Sequence, residues 1–217
     1  MPSELAIDHF TLGATTLDEG ARRIRDVLGV EMPPGGKHET MSTYNRVLKV
    51  GEGAFFELIA IDPYAAEPDH ARWFALDDPA QRQRLAERPR PLTWIVRTDD
   101  VHAIAKRSPI DLGPVKHFIR GERYWDLTVR PDGSMPGDGL VPSFIQWSSG
   151  PHPSENMKAL GPRLEKIILR HENPQWLSDV LAALGVAHLA DVSAAGARGN
   201  SIAFAFRMPD GDIRILE

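Results

Sequence analysis

Three side chains able to move a proton or ligate a metal cluster near the start of the chain. His9 stands in Ile7-Asp8-His9-Phe10, His38 closes the loop Gly35-Gly36-Lys37-His38, and Glu57 interrupts Ala54-Phe55-Phe56-Glu57-Leu58-Ile59-Ala60-Ile61. Glu57 carries the strongest signal. A carboxylate in an otherwise apolar strand has to be paired, metal-bound or protonated, because an unpaired buried charge is costly. Strand alternation puts Phe55, Glu57 and Ile59 on one face; the competing reading is an edge residue pointing to water. Neutral imidazole suits zinc, nickel, iron or manganese. His9, His38 and Glu57 together have the composition of a two-histidine, one-carboxylate metal triad. For His9 the bland alternative is a core histidine bonded to backbone, and His38 could bind substrate instead.

Weaker candidates surround these. Gln146, in Ser143-Phe144-Ile145-Gln146-Trp147, mirrors Glu57 in pattern, and its amide could ligate metal or orient a substrate; a half-exposed strand position fits equally. Asn45 and Arg130 are polar contacts for an oxygen-rich ligand, although Arg130 precedes Pro131-Asp132-Gly133 and also reads as a turn residue. Phe55, Trp94 and Phe144 would supply aromatic walls, with Trp94 equally readable as core.

The elements that must position these groups follow from periodicity. A strand from Leu5 to Leu12 precedes Thr16, which reads as a helix N-cap with Glu19 three residues on. Leu17, Ala21, Ile24, Val27 and Leu28 share one helical face, and Gly29 ends it. Strands from Thr43 to Val50 and Ala54 to Ile61 turn at Gly51-Glu52-Gly53. A second unit starts at Pro91 to Val96, with Asp99 or Asp100 capping Val101 to Lys106 and strands at Tyr124 to Val129 and Val141 to Trp147. A third has strands at Leu164 to Leu169, His188 to Val192 and Ser201 to Met208, then Asp212 to Glu217, with a helix capped by Asn173. Short helical pieces around Trp73 and over Gln81 to Leu85 lie in a charged connector. The order β-α-β-β-β thus recurs. Val101 follows Leu17 by 84 positions, which sets Thr93 opposite His9. The domains expected are residues 1–155, made of modules 5–62 and 90–148 with connector 63–89, and a related unit at 156–217.

Composition excludes other classes. The chain of 217 residues has no cysteine, so disulfides, thiolate nucleophiles and zinc-thiolate sites are out. The net charge is −5 and no Lys/Arg block interleaves with aromatics, which gives nucleic-acid binding little support. No apolar run spans a bilayer, and Met1-Pro2-Ser3-Glu4 lacks the character of a leader. The expectation is a cytoplasmic protein without membrane or nucleic-acid partners.

The chain resembles the vicinal oxygen chelate superfamily, and within it the glyoxalase-like domain family. The resemblance is carried by Ile7-Asp8-His9, Gly35 to His38 with Asn45, Phe56 to Pro63, Trp94 with Arg97-Thr98-Asp99-Asp100, Arg130 to Gly133, Pro142 to Trp147 and His152-Pro153. It implies an α+β fold in which paired βαβββ modules form a curved mixed sheet around a central cleft. It also implies a divalent metal (Zn, Ni, Fe or Mn) held by first- and last-strand side chains, here His9, Glu57 and Gln146, and a small-molecule substrate, with a homodimer as one form. The implied activity is that of a metal-dependent lyase, isomerase or dioxygenase with Glu57 and His38 as the reacting groups; a metal-free ligand-binding protein is the rival. Thr93 departs from the pattern, since threonine is a poor ligand where the family would place His, Gln or Glu.

Overall fold

A computed structural model describes residues 5–148 and 150–217; Met1-Pro2-Ser3-Glu4 lies outside them. β1 (Ala6–Gly13) leads into α1 (Leu17–Leu28), where the Thr16 side chain accepts from the Glu19 N–H and Gly29 adopts a left-handed φ of 72°. β2 (Lys37–His38), β3 (Thr43–Gly51) and β4 (Ala54–Ile61) complete the first module. After α2 (Pro79–Glu87) comes the second module, β5 (Arg90–Arg97), α3 (Val101–Arg107), β6 (Val115–Arg120), β7 (Arg123–Thr128) and β8 (Ser143–Trp147).

These strands form one eight-stranded sheet in the order β2-β3-β4-β1-β5-β8-β7-β6. Read outward from its centre, each half runs first, last, third and second strand of its module. The first and last strands pair in parallel, β1 with β4 and β5 with β8, while β1 and β5 join the halves antiparallel. The expected α+β class and curved mixed sheet are what the chain forms.

Alternation sorts side chains onto two faces. Phe10, Leu12, Phe56, Leu58, Trp94, Val96 and Phe144 pack outward, under α1 and α3. The C-terminal unit, β9 (Arg163–His171), α4 (Pro174–Leu184), β10 (Asp191–Ala194), β11 (Ser201–Arg207) and β12 (Ile213–Leu216), covers the same face. Phe204 and Phe206 of β11 meet Phe10 at ring-centroid distances of 4.5 and 5.8 Å. Its four strands run β10-β9-β11-β12, so its last strand lies at an edge and does not pair with its first, unlike both modules. Glu217 sits beside this edge and pairs with Arg198.

The concave face is partly filled by the connector. Trp73, Phe74 and Leu76 join Ile59, Ile95, Trp125, Leu127 and Ile145 in a second apolar cluster. The segment around Trp73 is not the helix predicted from sequence. Phe74 and Ala75 take successive left-handed φ values of 58° and 54°, which no right-handed helix accommodates. β6 is an edge strand outside the elements expected from periodicity, because Lys116, His117 and Arg120 hide its alternation. The strand expected from His188 begins at Asp191, preceded by a 3-10 turn. Among the described residues no helix is long and apolar enough to cross a membrane.

Candidate functional site

The cleft lies on the concave face. Its first-module wall carries His9, His38, Asn45, Val47, Phe55 and Glu57, and its second-module wall carries Trp125, Leu127, Ile145 and Trp147. Trp73 and Phe74 close one side, Arg120 stands at the mouth, and Pro153 with Met157 complete the rim. The enclosed space is about 50 Å³.

Glu57 is 4% exposed. Its Oε1 accepts from Asn45 Nδ2 at 2.6 Å, while Oε2 stands 3.9 Å from His9 Nε2 and Oε1 the same distance from His38 Nε2. Burial pushes this carboxyl above its ordinary value, against the opposing pull of His9, Asn45 and Arg120. The Asn45 amide cannot turn freely, because its Oδ1 accepts from the Gly36 N–H at 2.9 Å. The Asn45 N–H in turn donates to the Gly36 carbonyl, also at 2.9 Å. Gly35 is required for this close approach, since a Cβ there would lie 1.9 Å from the Asn45 carbonyl oxygen. The two glycines therefore anchor the amide that holds Glu57.

His9 is fixed from behind. A bulge between Ile7 and His9 lets the adjacent Asp8 side chain turn to it, and Asp8 Oδ1 lies 2.7 Å from His9 Nδ1. Oδ2 of Asp8 accepts from Trp147 Nε1 at 2.8 Å and lies 2.9 Å from His152 Nε2. Burial alone would raise the Asp8 carboxyl, but hydrogen bonds from His152 and His9 override it and hold the group well below the usual carboxylate range. An ionised carboxylate only accepts, so His9 presents its Nδ1–H to Asp8 and its Nε2 to Glu57. The ring also stacks on Phe55 at 4.6 Å.

His38 is neutral. Burial, then Arg120 and His9, depress its pKa to about 3. Asn45 Nδ2 at 3.5 Å and Arg120 Nη1 at 3.4 Å both aim donors at its Nε2, so the proton sits on Nδ1 and faces Thr43 Oγ1 at 3.1 Å.

The structure thus brings His9, His38, Asn45, Phe55 and Glu57 together and leaves four other candidates elsewhere. Gln146 points to the outer face, where its Oε1 accepts from the Val101 N–H at 3.0 Å at the start of α3. Its neighbours Ile145 and Trp147 take the cleft face, so Gln146 lies on the opposite face of the sheet from Glu57. Trp94 and Phe144 are wholly buried in the outer core, where Trp94 Nε1 donates to the Leu140 carbonyl. Arg130 fastens a loop, donating from Nε and Nη2 to the Asp111 carbonyl at 3.0 and 2.5 Å. Thr93 is buried in the β1–β5 pairing and does not line the cleft.

Asp8, Arg120, His152, Trp73, Trp125 and Trp147 were missed as site residues. Only Asp8 carried a usable sign, a second charged group beside His9 in an apolar strand.

A metal of the expected kind does not fit the donors as arranged. His9 Nε2 and His38 Nε2 each stand 3.9 Å from a Glu57 oxygen, beyond the roughly 3.4 Å that tetrahedral ligands about 2.1 Å from one ion would show. Asn45 and Arg120 direct N–H groups at the atoms a metal would use, and the second-module wall offers no metal-ligating side chain. Among the described residues no three His, Asp or Glu side chains are disposed to hold an ion.

A family model described as "Glyoxalase-like domain" matches residues 7–185. No curated protein matches by sequence. A hypothetical protein from Staphylococcus aureus is similar in structure with TM-score 0.57 and 15% identity, over 83% of this chain and 75% of that one. A mutant 4-hydroxymandelate synthase from Streptomyces coelicolor gives TM-score 0.47 and 16% identity, over 97% of this chain and 61% of that one. Methylmalonyl-CoA epimerase from Mycobacterium tuberculosis gives 0.42 and 15%, over 67% of this chain and 88% of that one. At these identities the likeness concerns the fold alone.

Proposed function

The chain belongs to the glyoxalase-like domain family of the vicinal oxygen chelate superfamily, and from that premise we propose that it is an enzyme of proton transfer on a small oxygenated molecule. The substrate enters the cleft between the two modules, and Glu57 is the general base and acid. Lyases and isomerases that work through an enolate begin by removing a proton from carbon beside a carbonyl, which calls for a base close to neutrality in a dry site.

One observation carries this reading: a buried Glu57 with a raised carboxyl, held by Asn45 and flanked by His9 and neutral His38. A carboxylate with those surroundings accepts a proton more readily than an exposed one. Asp8 orients His9, and the apolar wall of Trp125, Leu127, Ile145 and Trp147 keeps bulk water from the reacting carbon.

The test is hydrogen–deuterium exchange at carbon. Enolisable carbonyl probes such as 2-oxobutanoate are incubated with the protein in heavy water and followed by proton NMR. The wild type should accelerate exchange, and Glu57→Gln should lose about 100-fold or more of it. Equal exchange in both overturns the assignment. Binding without any accelerated exchange favours a second reading, a metal-free ligand-binding protein, which the largely apolar second wall and the small enclosed volume support.

A further inference from the structure

The mouth of the cleft holds more donors than acceptors. Arg120 ends β6 and reaches across to His38, its Nη1 lying 3.4 Å from Nε2. Among the described residues it forms no ion pair, although Glu57 lies deeper in the same cleft. The guanidinium passes over Gly36, where a Cβ would come within 3.4 Å of Nη1, so the bare backbone there makes room for it. Trp73 packs edge-on against His38 at 4.9 Å and is 4% exposed. Its buried indole N–H has no acceptor among the described residues. Indole can only donate, and a buried donor without a partner costs about 1–3 kcal/mol. Glu57 Oε1 is already engaged by Asn45, so it does not relieve the imbalance.

The space around Arg120 is equally uneven. Inside it lies the cavity of about 50 Å³, room for a few heavy atoms only. Outside it opens a groove of about 450 Å³, bounded by Arg120, Arg123, Gly150, Pro151, Asn156 and the acidic Glu122. A molecule reaching Glu57 must therefore pass Arg120 and leave its larger part outside.

We infer that the ligand carries an oxyanion group, a carboxylate or a phosphate ester, bound at the mouth by the Arg120 guanidinium beside the Trp73 indole. Its small uncharged end then meets Glu57, and the remainder lies in the outer groove. A guanidinium offers two parallel N–H groups matched to two oxygens of either anion, and the buried Trp73 indole N–H gains an acceptor where ligand entry opens the packing over it. Arg120 also separates the bound anion from Glu57, which would otherwise face a like charge. This inference rests on the proposed placement of the ligand in the cleft.

Three probes with the same apolar body test it: isobutyrate, isopropyl phosphate and the neutral isobutyramide. Binding is read from the indole N–H resonances of Trp73, Trp125 and Trp147, assigned with Trp→Phe variants. At least one anion should bind about tenfold or more tightly than the amide and shift the Trp73 signal. Which of the two does so identifies the source of the oxyanion. Arg120→Gln should lose about tenfold of that affinity and Arg120→Lys should recover part of it, with the unfolding temperature unchanged because the side chain is exposed. Added salt should weaken the anion and leave the amide unaffected. Amide binding equal to the anions, or anion binding undiminished in Arg120→Gln, overturns the oxyanion while leaving the cleft as the binding site. Failure of all three probes to move any of the three indole signals overturns both.

Discussion

Across the cleft, β1, β3 and β4 present His9, Asn45 and Glu57, whereas β7 and β8 present Trp125, Leu127, Ile145 and Trp147. Both walls come from the same order of elements and the same strand pairing. The difference is in what stands at equivalent positions. Thr11 pairs with Glu57 in the first module. Moving on by the 84 residues that separate Leu17 from Val101 leads from Thr11 to Ile95, whose parallel partner is Ser143. Ser143 is therefore the register counterpart of Glu57, and a small hydroxyl stands where the first wall has a carboxylate. The repeat supplies curvature twice and chemistry once, so ionisable groups concentrate on one wall and apolar surface on the other. A proton-transfer site needs both, a base and a dry face opposite it.

The sharpest way to break this asymmetry is Asp8→Asn. It preserves shape but leaves three donors, on His9, Trp147 and His152, sharing a weaker acceptor in a fully buried place. The expected loss is about 3–5 kcal/mol in denaturant unfolding. Because the Asp8 carboxyl is held below its ordinary value, its contribution is complete at neutral pH and is lost as pH falls through the folded-state value. A variant as stable as the wild type at neutral pH would show that the polar wall does not depend on Asp8.

Leu127→Ala attacks the opposite wall. It should cost about 2–4 kcal/mol, enlarge the cleft and, by admitting water beside Glu57, bring its carboxyl back toward the ordinary value. An unchanged titration of Glu57 in this variant would contradict the drying role of the second wall.

The smallest effect has the opposite sign. Between the ordinary glutamate value and the raised one, the folded protein binds more protons than the unfolded chain, so stability falls as pH rises through that window. Glu57→Gln removes this term. The variant should be more stable than the wild type near neutral pH by about 1 kcal/mol, and the gap should close as pH falls. Thermal unfolding across pH measures it, and a destabilised variant would mean that the ionised carboxylate is needed for folding.

Much of this was legible in the sequence, because periodicity and caps are local. The first module, α3 capped by Asp100 and the β7–β8 framework follow from alternation, capping residues and turn signals. Glu57 was legible because a charge amid apolar residues has few explanations. Gln146 misled because pattern fixes a strand but not its phase, and a one-residue slip exchanges the two faces. Trp94 and Phe144 misled for the same reason: aromatic residues suit a cleft wall and a core equally. Arg120 and Trp73 could not be read, since their meeting at His38 depends on an irregular connector and on the order of eight strands.

The most direct measurement is a pH titration of the Glu57 side-chain carboxyl by carbon-13 NMR, assigned with Glu57→Gln and repeated with nickel, zinc, iron(II) or manganese offered. A midpoint above the ordinary glutamate value, unchanged by the metals, is the predicted result. A midpoint at or below that value, or a signal lost to a bound ion, would contradict the account of Glu57 as a buried proton-transfer group.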